Sequence, residues 1–486
     1  MKDTRISTAA WAAVVLFLVA RVWIGFGYRP GASDAKLYAL YGFVTNEAVR
    51  WEKSPYDIYE SSRRELNQAQ GDSAPRRDEV TVEYPPLALG LFWLPARLVP
   101  ENPPGTGLRG NDPNDLNLWL KYYRTLYFAA EVLTVLGVGF WLRRRNLGSA
   151  WGLFVGTVGG AFLAYVLYDR LDLWLGLMLL GATSAMVTGR RYLAMALLAL
   201  GVNFKLVPIL LLPLFVLGAL PAERRSLRVA LGACAVFVGA GLAVFLPFRA
   251  LWGPRAWDFL AFHGERGLQI EATWSSLLLN AAHLGYPAKV VHEHGSGTVV
   301  APGAHFLAKA STFVVLATTA LVTWLYRRAT TRPGAPSATD ETSGTTLAER
   351  DPTRFVWATL AVLALAMAGS KVFSPQYVCW LLPLFLLVES PRSWRAAYTS
   401  LAFIVACVLT MIVFPFLWDE MEHVVTASPL TLGEPSLRAT LTNLCRNLVW
   451  IGFGVGAVLA MRRGAQPVAA TPAKTRGKPR RRGRRR

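Results

Sequence analysis

Apolar runs of the length a bilayer demands recur along the whole chain. A hydrocarbon core of ~30 Å takes about 20 apolar residues per helix. Residues 9–27, 119–142, 150–168, 171–188, 228–248, 305–326, 353–369, 373–388, 395–417 and 440–461 meet or approach that length. The pattern predicts an all-α, polytopic membrane protein: a bundle of about 10–13 transmembrane helices with large external loops. Gly and Pro inside several spans are compatible with this, because neighbouring helices satisfy freed backbone groups. Two stretches break the regularity. Residues 86–99 are short for a crossing, and 193–220 start and finish at basic flanks with Asn203-Phe-Lys205-Leu-Val-Pro208 between them. The second pattern predicts two short helices of a re-entrant hairpin. Broken helices at membrane depth persist only where protein buries them or they line a cavity, so either stretch is a candidate border of a site. Residues 9–27 follow a short charged leader without a small-residue cleavage site before the polar loop, and read as a retained anchor.

Polar intervals then divide the chain. Residues 1–328 are expected to form one membrane bundle, with external loops at 28–85 and 249–304. Residues 329–352, rich in Thr, Ala, Gly and Pro, read as a disordered cytoplasmic linker, residues 353–461 as a C-terminal membrane bundle, and residues 462–486 as a basic, disordered cytoplasmic tail. Basic clusters at Arg143–Arg145, Arg190–Arg191, Arg224–Arg225, Arg327–Arg328 and Arg392–Arg395 mark the cytoplasmic side by the positive-inside rule. Both termini are then cytoplasmic. Residues 28–118 at least in part, the Tyr168-Asp-Arg-Leu-Asp172 turn, and residues 249–304 and 418–439 lie outside.

Composition sharpens this picture in two respects. At 53% hydrophobic and 17% charged, the chain is excluded from being a string of soluble domains. Its net charge of +20 is concentrated, since the tail carries eleven Lys or Arg and no acid, leaving +9 for everything else. At the end of a membrane protein such a tail reads as a segment lying on anionic lipid headgroups, worth ~1 kcal/mol per basic residue, rather than as a nucleic-acid arm. The four cysteines (Cys234, Cys379, Cys407, Cys445) fall inside apolar spans without a CxxC pattern, which argues against a disulfide framework or a zinc site. No metal or other cofactor is expected.

Chemistry is sought first in the long polar interval that runs from Gly31-Ala-Ser-Asp34 through Lys53-Ser-Pro-Tyr56-Asp57 to Glu83-Tyr84-Pro-Pro-Leu87. A large, acid-bearing first external loop suits chemistry at a membrane surface. Asp34 is placed to deprotonate an acceptor hydroxyl, general-base work worth ~10²–10⁴ in rate; a solvated loop acid or a helix N-cap is its plain alternative. Glu83 is a second acid at the interface, base or orienter, and Tyr84-Pro85-Pro86 fixes an extended entry into the next helix. In the loop at 249–304, His263 and Arg266 are candidates to grip a phosphate, and Gln269 and Glu271 to bind a sugar. An ion-paired loop is the alternative there, and Trp274–Leu284 looks like an interfacial amphipathic helix. His292 and His294 sit beside Gly295 and Gly297 and make a poor metal pair. Lys205 and Lys371 interrupt apolar sequence, where a cation costs ~2.5–3.5 kcal/mol near the bilayer centre unless it faces a cavity or snorkels. Asp169 and Asp172 flank Arg170, either as a local ion-pair cluster or as acceptor-binding groups. Arg21 and Arg97 are expected to snorkel, while Glu131 needs a polar partner that the sequence does not name.

Asp34 after the first span, Ser54-Pro-Tyr56 and Tyr84-Pro-Pro-Leu87 resemble glycosyltransferase family 87. So do Phe204-Lys-Leu-Val-Pro208, Arg266-Gly-Leu-Gln-Ile-Glu271 and Ser374-Pro-Gln-Tyr377 followed by Trp380-Leu-Leu-Pro383, in order over residues 9–390. This is a family of polyprenol-phosphate-mannose-dependent α-mannosyltransferases in the GT-C superfamily of membrane enzymes. The resemblance implies an inverting transfer of a sugar, mannose by analogy, from a polyprenyl-phosphate donor to a hydroxyl of a cell-envelope glycolipid or glycan. It places the reaction on the external side of the cytoplasmic (inner) membrane and Asp34 in the role of base. His263, Arg266 and Lys371 are then candidates for the donor phosphate by their charge. Gln269, Glu271, Lys205, Tyr84, Glu83 and Asp169 complete the expected substrate contacts. The first loop, with Arg63–Arg64 and Arg76–Arg77, departs from the family in being longer and more basic. A multi-span transporter or lipid flippase would also carry ionisable residues in its spans, but no repeat of helices supports it. A non-catalytic scaffold recruiting partners through the tail is the third reading.

Overall fold

The computed structural model describes residues 7–27, 33–61, 82–100, 113–145, 147–222, 226–293, 296–331, 345–391, 394–421 and 435–463. The protein is an all-α polytopic membrane protein. Among the described residues seven helices are long and apolar enough to cross a membrane, and six shorter apolar helices pack with them. In chain order the elements begin α1 (Thr8–Val22), α2 (Ser33–Arg50), α3 (Pro86–Leu98), α4 (Pro113–Arg143) and α5 (Ala150–Phe162). They continue α6 (Asp172–Val187), α7 (Arg191–Phe204), α8 (Leu212–Ala219), α9 (Leu227–Trp252) and α10 (Asp258–Glu265). Then come β1 (Leu268–Gln269), α11 (Thr273–Ala282), β2 (Lys289–Glu293), β3 (Ser296–Val300) and α12 (Ala304–Thr330). The chain closes with α13 (Leu347–Arg350), α14 (Pro352–Gly369), α15 (Trp394–Met411) and α16 (Leu437–Arg463).

Local sequence accounts for several of the boundaries. Ser149 and Ser226 accept the backbone N–H of Gly152 and Val229 at 3.0 and 3.3 Å, and so start α5 and α9. Asp351 caps α14 through the Arg354 N–H at 3.1 Å, with Pro352 at the first helical position, where its missing N–H is no loss. The hairpin expected over 193–220 is present. Its first helix ends at Phe204, Lys205 is extended, and a 3₁₀ turn (Val207–Leu211) with Pro208 at its start leads into α8. α3 is the short helix that 86–99 suggested, packed between α2 and α4.

Three expectations change. Residues 373–388 are not a span. They form two 3₁₀ turns, Pro375–Trp380 and Pro383–Leu387, each opened by a proline that cannot continue an α-helix. They are apolar because protein surrounds them: Leu381, Leu384 and Phe385 are fully buried, against α5, α6 and α14. Both ends of the linker expected over 329–352 are structured, while residues 332–344 lie outside the described residues: α12 runs to Thr330, and residues 345–352 include α13 and the start of α14. There Ala222 donates to the Thr345 carbonyl and Leu347 to that of Leu220, both at 2.9 Å, around a Pro221–Thr346 bridge. The largest cluster of buried apolar residues runs from Phe17 to Met461, with α14 packed on α16 and α12. Finally, the loop at 249–304 holds a small antiparallel sheet in the order β1-β3-β2, Leu268 opposite Val299 and Val290 opposite Val299 on its other edge. Of the basic tail, Arg462 and Arg463 complete α16 and residues 464–486 lie outside the described residues.

Arg21 does not snorkel. It is 2% exposed, and its Nε donates to both oxygens of Glu131 at 2.8 and 2.9 Å, which supplies the partner that Glu131 required. Two glycines allow the tightest approaches. A Cβ on Gly152 would stand 1.9 Å from the Phe385 carbonyl oxygen, and one on Gly42 2.3 Å from that of Phe92. Basic helix termini gather at one end of the bundle. Arg190 lies over the Trp141 ring at 5.1 Å, Arg354 donates to the carbonyls of Ala329 and Arg463, and Arg350 to that of Thr330.

Candidate active site

The Tyr168–Asp172 turn, which leads into α6, is where separate parts of the fold meet. Tyr168 donates its hydroxyl to Glu131 at 2.5 Å. Asp169 takes a bidentate pair from Arg124 of α4 at 2.7 and 2.9 Å. Asp172, fully buried at the start of α6, accepts from Lys205 Nζ at 2.7 Å and from Trp380 Nε1 at 2.5 Å, both on Oδ1. An acid at that position is also favoured by the helix dipole. Lys205 reaches it because the chain leaves α7 in an extended conformation just ahead of Pro208. Its ammonium lies 4.6 Å from the Tyr377 ring centroid and 5.2 Å from that of Trp380, within cation–π range. The expected Asp169 is thus held by Arg124, whereas Asp172 takes the central place. A buried lysine at a helix break calls for a buried carboxylate, and the apolar flanks of Asp172 were the available signal.

A second wall comes from the segment after α10. Lys371 donates to the carbonyls of Arg266 and Gly264 at 2.6 and 3.2 Å, and the Gln269 N–H donates to the Lys371 carbonyl at 2.9 Å. Gln269 Nε2 bonds Ser374 Oγ at 2.6 Å, and Arg266 Nη2 bonds Ser296 Oγ at 2.9 Å. The two motifs containing Gln269 and Ser374 therefore touch. Half-burial and then the neighbouring Arg266 guanidinium pull the Lys371 pKa below lysine's ordinary value. Glu271 is buried and presents its backbone carbonyl to Arg446 and Asn447 at 3.2 and 3.1 Å. Arg446, fully buried on α16, also donates to the Phe373 carbonyl at 3.2 Å and stacks on that ring at 3.8 Å. It joins both motifs from behind, a role the sequence did not suggest. α11 is the expected amphipathic helix, its Ser276 buried against Asn443 and Asn447.

The third wall is aromatic. Tyr84 shares a 3.1 Å hydrogen bond with Tyr38 of α2, and Tyr38 stacks on Phe92 at 4.5 Å. Beside it Glu83 is half-buried, and its carboxylate lies within electrostatic reach of Lys205, Tyr38, Tyr84 and Tyr377. The His263 imidazole hydrogen-bonds the Glu83 backbone and feels the charges of Lys205, Arg266 and Lys371. Glu83, Tyr84, Lys205, His263, Arg266, Gln269 and Lys371 thus form one connected neighbourhood. Asp34 is the second residue of α2, four before Tyr38, and its side chain lies outside the described residues. The same is true of the side chain of His292 and of residue 294. Three buried polar atoms in the neighbourhood have no hydrogen-bond partner: Asp172 Oδ2, Arg266 Nε and Gln269 Oε1. Among the described residues no group of three His, Cys, Asp or Glu could hold a metal ion.

Fold and cluster together define a class: a polytopic helical membrane protein that gathers charged and polar side chains from distant parts of its chain. No protein-family model matches the chain, and no curated protein matches it.

Proposed function

We propose that this protein is a membrane glycosyltransferase. It moves a sugar, mannose by the resemblance to glycosyltransferase family 87, from a polyprenyl-phosphate donor to a hydroxyl of a cell-envelope glycolipid or glycan. The observation that carries the reading is convergence. Glu83, Lys205, His263, Arg266 and Lys371, separated by up to 288 positions, meet beside one aromatic wall. Departure of a phosphate builds up negative charge, and cations fixed in advance near a low-dielectric site stabilise it most. In the inverting step the bond between the sugar C1 and the donor phosphate oxygen breaks as the acceptor oxygen bonds C1. The acceptor proton passes to a carboxylate, Asp34 in this reading, with Glu83 as its understudy. His263, Arg266, Lys371 and Lys205 hold the phosphate; Gln269, Glu271, Tyr84 and Asp169 line the sugar and acceptor side. The gathered basic helix ends support, by the positive-inside rule, a cytoplasmic location for that end and for both termini; in this reading the reaction takes place on the outer face of the cytoplasmic membrane.

The test uses the full chain in lipid nanodiscs with radiolabelled polyprenyl-phosphate mannose and a lipid extract of the host. Wild type should move label to a new product, and Asp34→Asn should lower the rate by ~10²-fold or more. Equal transfer by both would move the base to Glu83, checked with Glu83→Gln. Absence of transfer with mannose-, glucose- and arabinose-linked donors alike would overturn the reading and favour a transporter.

A further inference from the structure

We infer that Asp172 is a positioning residue for the donor phosphate: it fixes the Lys205 ammonium at the junction of the three walls. This rests on the glycosyltransferase reading above. Lysine is a flexible cation with four rotatable side-chain bonds, and ordering it on a ligand is entropically expensive. Here that ordering exists beforehand. Asp172 is fully buried, one of its oxygens accepts from Lys205 at 2.7 Å, and the same oxygen is held by Trp380 Nε1 at 2.5 Å. Trp380 and Tyr377 confine the ammonium from two further directions. The partners lie 33 and 208 positions from Asp172, so the arrangement ties the hairpin break and the first 3₁₀ turn to the 168–172 turn.

Two observations separate this from an ordinary structural ion pair. A pair kept for stability alone satisfies its oxygens, because burial of an unpaired acceptor is costly. Asp172 Oδ2 is buried and accepts no hydrogen bond, although the Arg170 guanidinium lies within electrostatic reach of the carboxylate. Moreover, Lys205 is coupled to groups on the other walls: its charge acts on His263, and the Glu83 carboxylate acts on it. Because Lys205 donates a single hydrogen bond to Asp172, ammonium protons remain for a phosphate oxygen, and Asp172 keeps them pointed.

The experiment measures binding of radiolabelled polyprenyl phosphate, without a sugar, to the full chain in nanodiscs, beside transfer from the sugar-bearing donor. Wild type is expected to do both. The paired variant Asp172→Leu/Lys205→Met removes both charges at similar volume; it orphans the Trp380 indole N–H, and is expected to stay folded and to melt only somewhat below wild type. It should bind polyprenyl phosphate about tenfold or more weakly, the loss of one charge-assisted contact. Asp172→Glu keeps both charges and moves the carboxylate by about one bond. It should fold as wild type, raise the donor KM by roughly threefold or more and leave kcat nearly unchanged, because a positioning fault is felt at the phosphate. Wild-type affinity in the paired variant, or an unaltered donor KM in Asp172→Glu, would make the pair purely structural and overturn the inference. Wild-type protein that neither binds polyprenyl phosphate nor transfers sugar would overturn the glycosyltransferase reading itself, and this inference with it.

Discussion

Replacing Arg21 with Met tests the energetic reading of the transmembrane core. The guanidinium is 2% exposed and contributes both Nε contacts to Glu131, while Tyr168 supplies the one other hydrogen bond to that carboxylate. Arg21→Met therefore strands a carboxylate among apolar helices with a single donor. Breaking a buried pair in this way costs about 3–5 kcal/mol, whereas replacing both partners by apolar groups is close to neutral or stabilising. The double variant Arg21→Met/Glu131→Leu should accordingly recover most of the loss, less a contribution of about 1 kcal/mol for the orphaned Tyr168 hydroxyl. The assay is unfolding of purified protein in mixed micelles as the denaturing detergent fraction is raised, with all four members of the cycle compared. A single Arg21→Met variant as stable as wild type would refute the reasoning, since it would mean that Glu131 is neutral or solvated in the folded protein. A double variant worse than either single would refute it too, by showing that the pair stabilises beyond its desolvation penalty.

Other consequences can be checked with less effort. Lys371 loses its proton at a pH below the usual lysine range, and a phosphate is held by the protonated form, so donor affinity should be full at low pH and fall as pH rises through that lowered value. Lys371→Arg, which stays charged, should carry the alkaline limb of the donor KM profile to higher pH; an unmoved limb would remove Lys371 from the phosphate contacts. Gly152→Ala forces a methyl group toward the Phe385 carbonyl and should destabilise by about 1–3 kcal/mol or more, read in the same detergent titration, while Gly90→Ala, with open space around its Cβ, should be mild. Arg446→Met removes the donor to the Phe373 carbonyl and one of the two to the Glu271 carbonyl, and should expose the Gln269 and Ser374 segments to proteolysis before the bundle melts; simultaneous loss of both would argue against a local clamp.

Hydropathy was a good guide to the spans and to the hairpin break, because both are written in local sequence. It failed at residues 373–388, since an apolar run reads the same whether lipid or protein surrounds it. α9 shows the first case, with Leu231, Val238 and Leu242 exposed on its surface, and Phe385 the second, with no exposure at all. The neighbourhood of Glu83, Lys205, His263 and Lys371 was legible as scattered cations and acids, but its partnerships were not. Glu131 and Arg21 are 110 positions apart, and Gln269 and Ser374 are 105 apart. No periodicity connects such pairs; only packing does. Arg446 was invisible for another reason: it lies within a long apolar helix, and the donors that join the two motifs go to backbone carbonyls, which leave no trace in residue identity.

The same separation of Arg21 from Glu131 sets an order of events during synthesis. At roughly 5–20 residues per second, the 110 positions between them take roughly 5–20 s to emerge. Throughout that interval the Arg21 guanidinium is without the carboxylate that later neutralises it, and α1 and α4 can close on one another only once residue 131 has been made. The innermost contact of the bundle is therefore among the later ones open to the growing chain, although one of its halves is among the first residues synthesised.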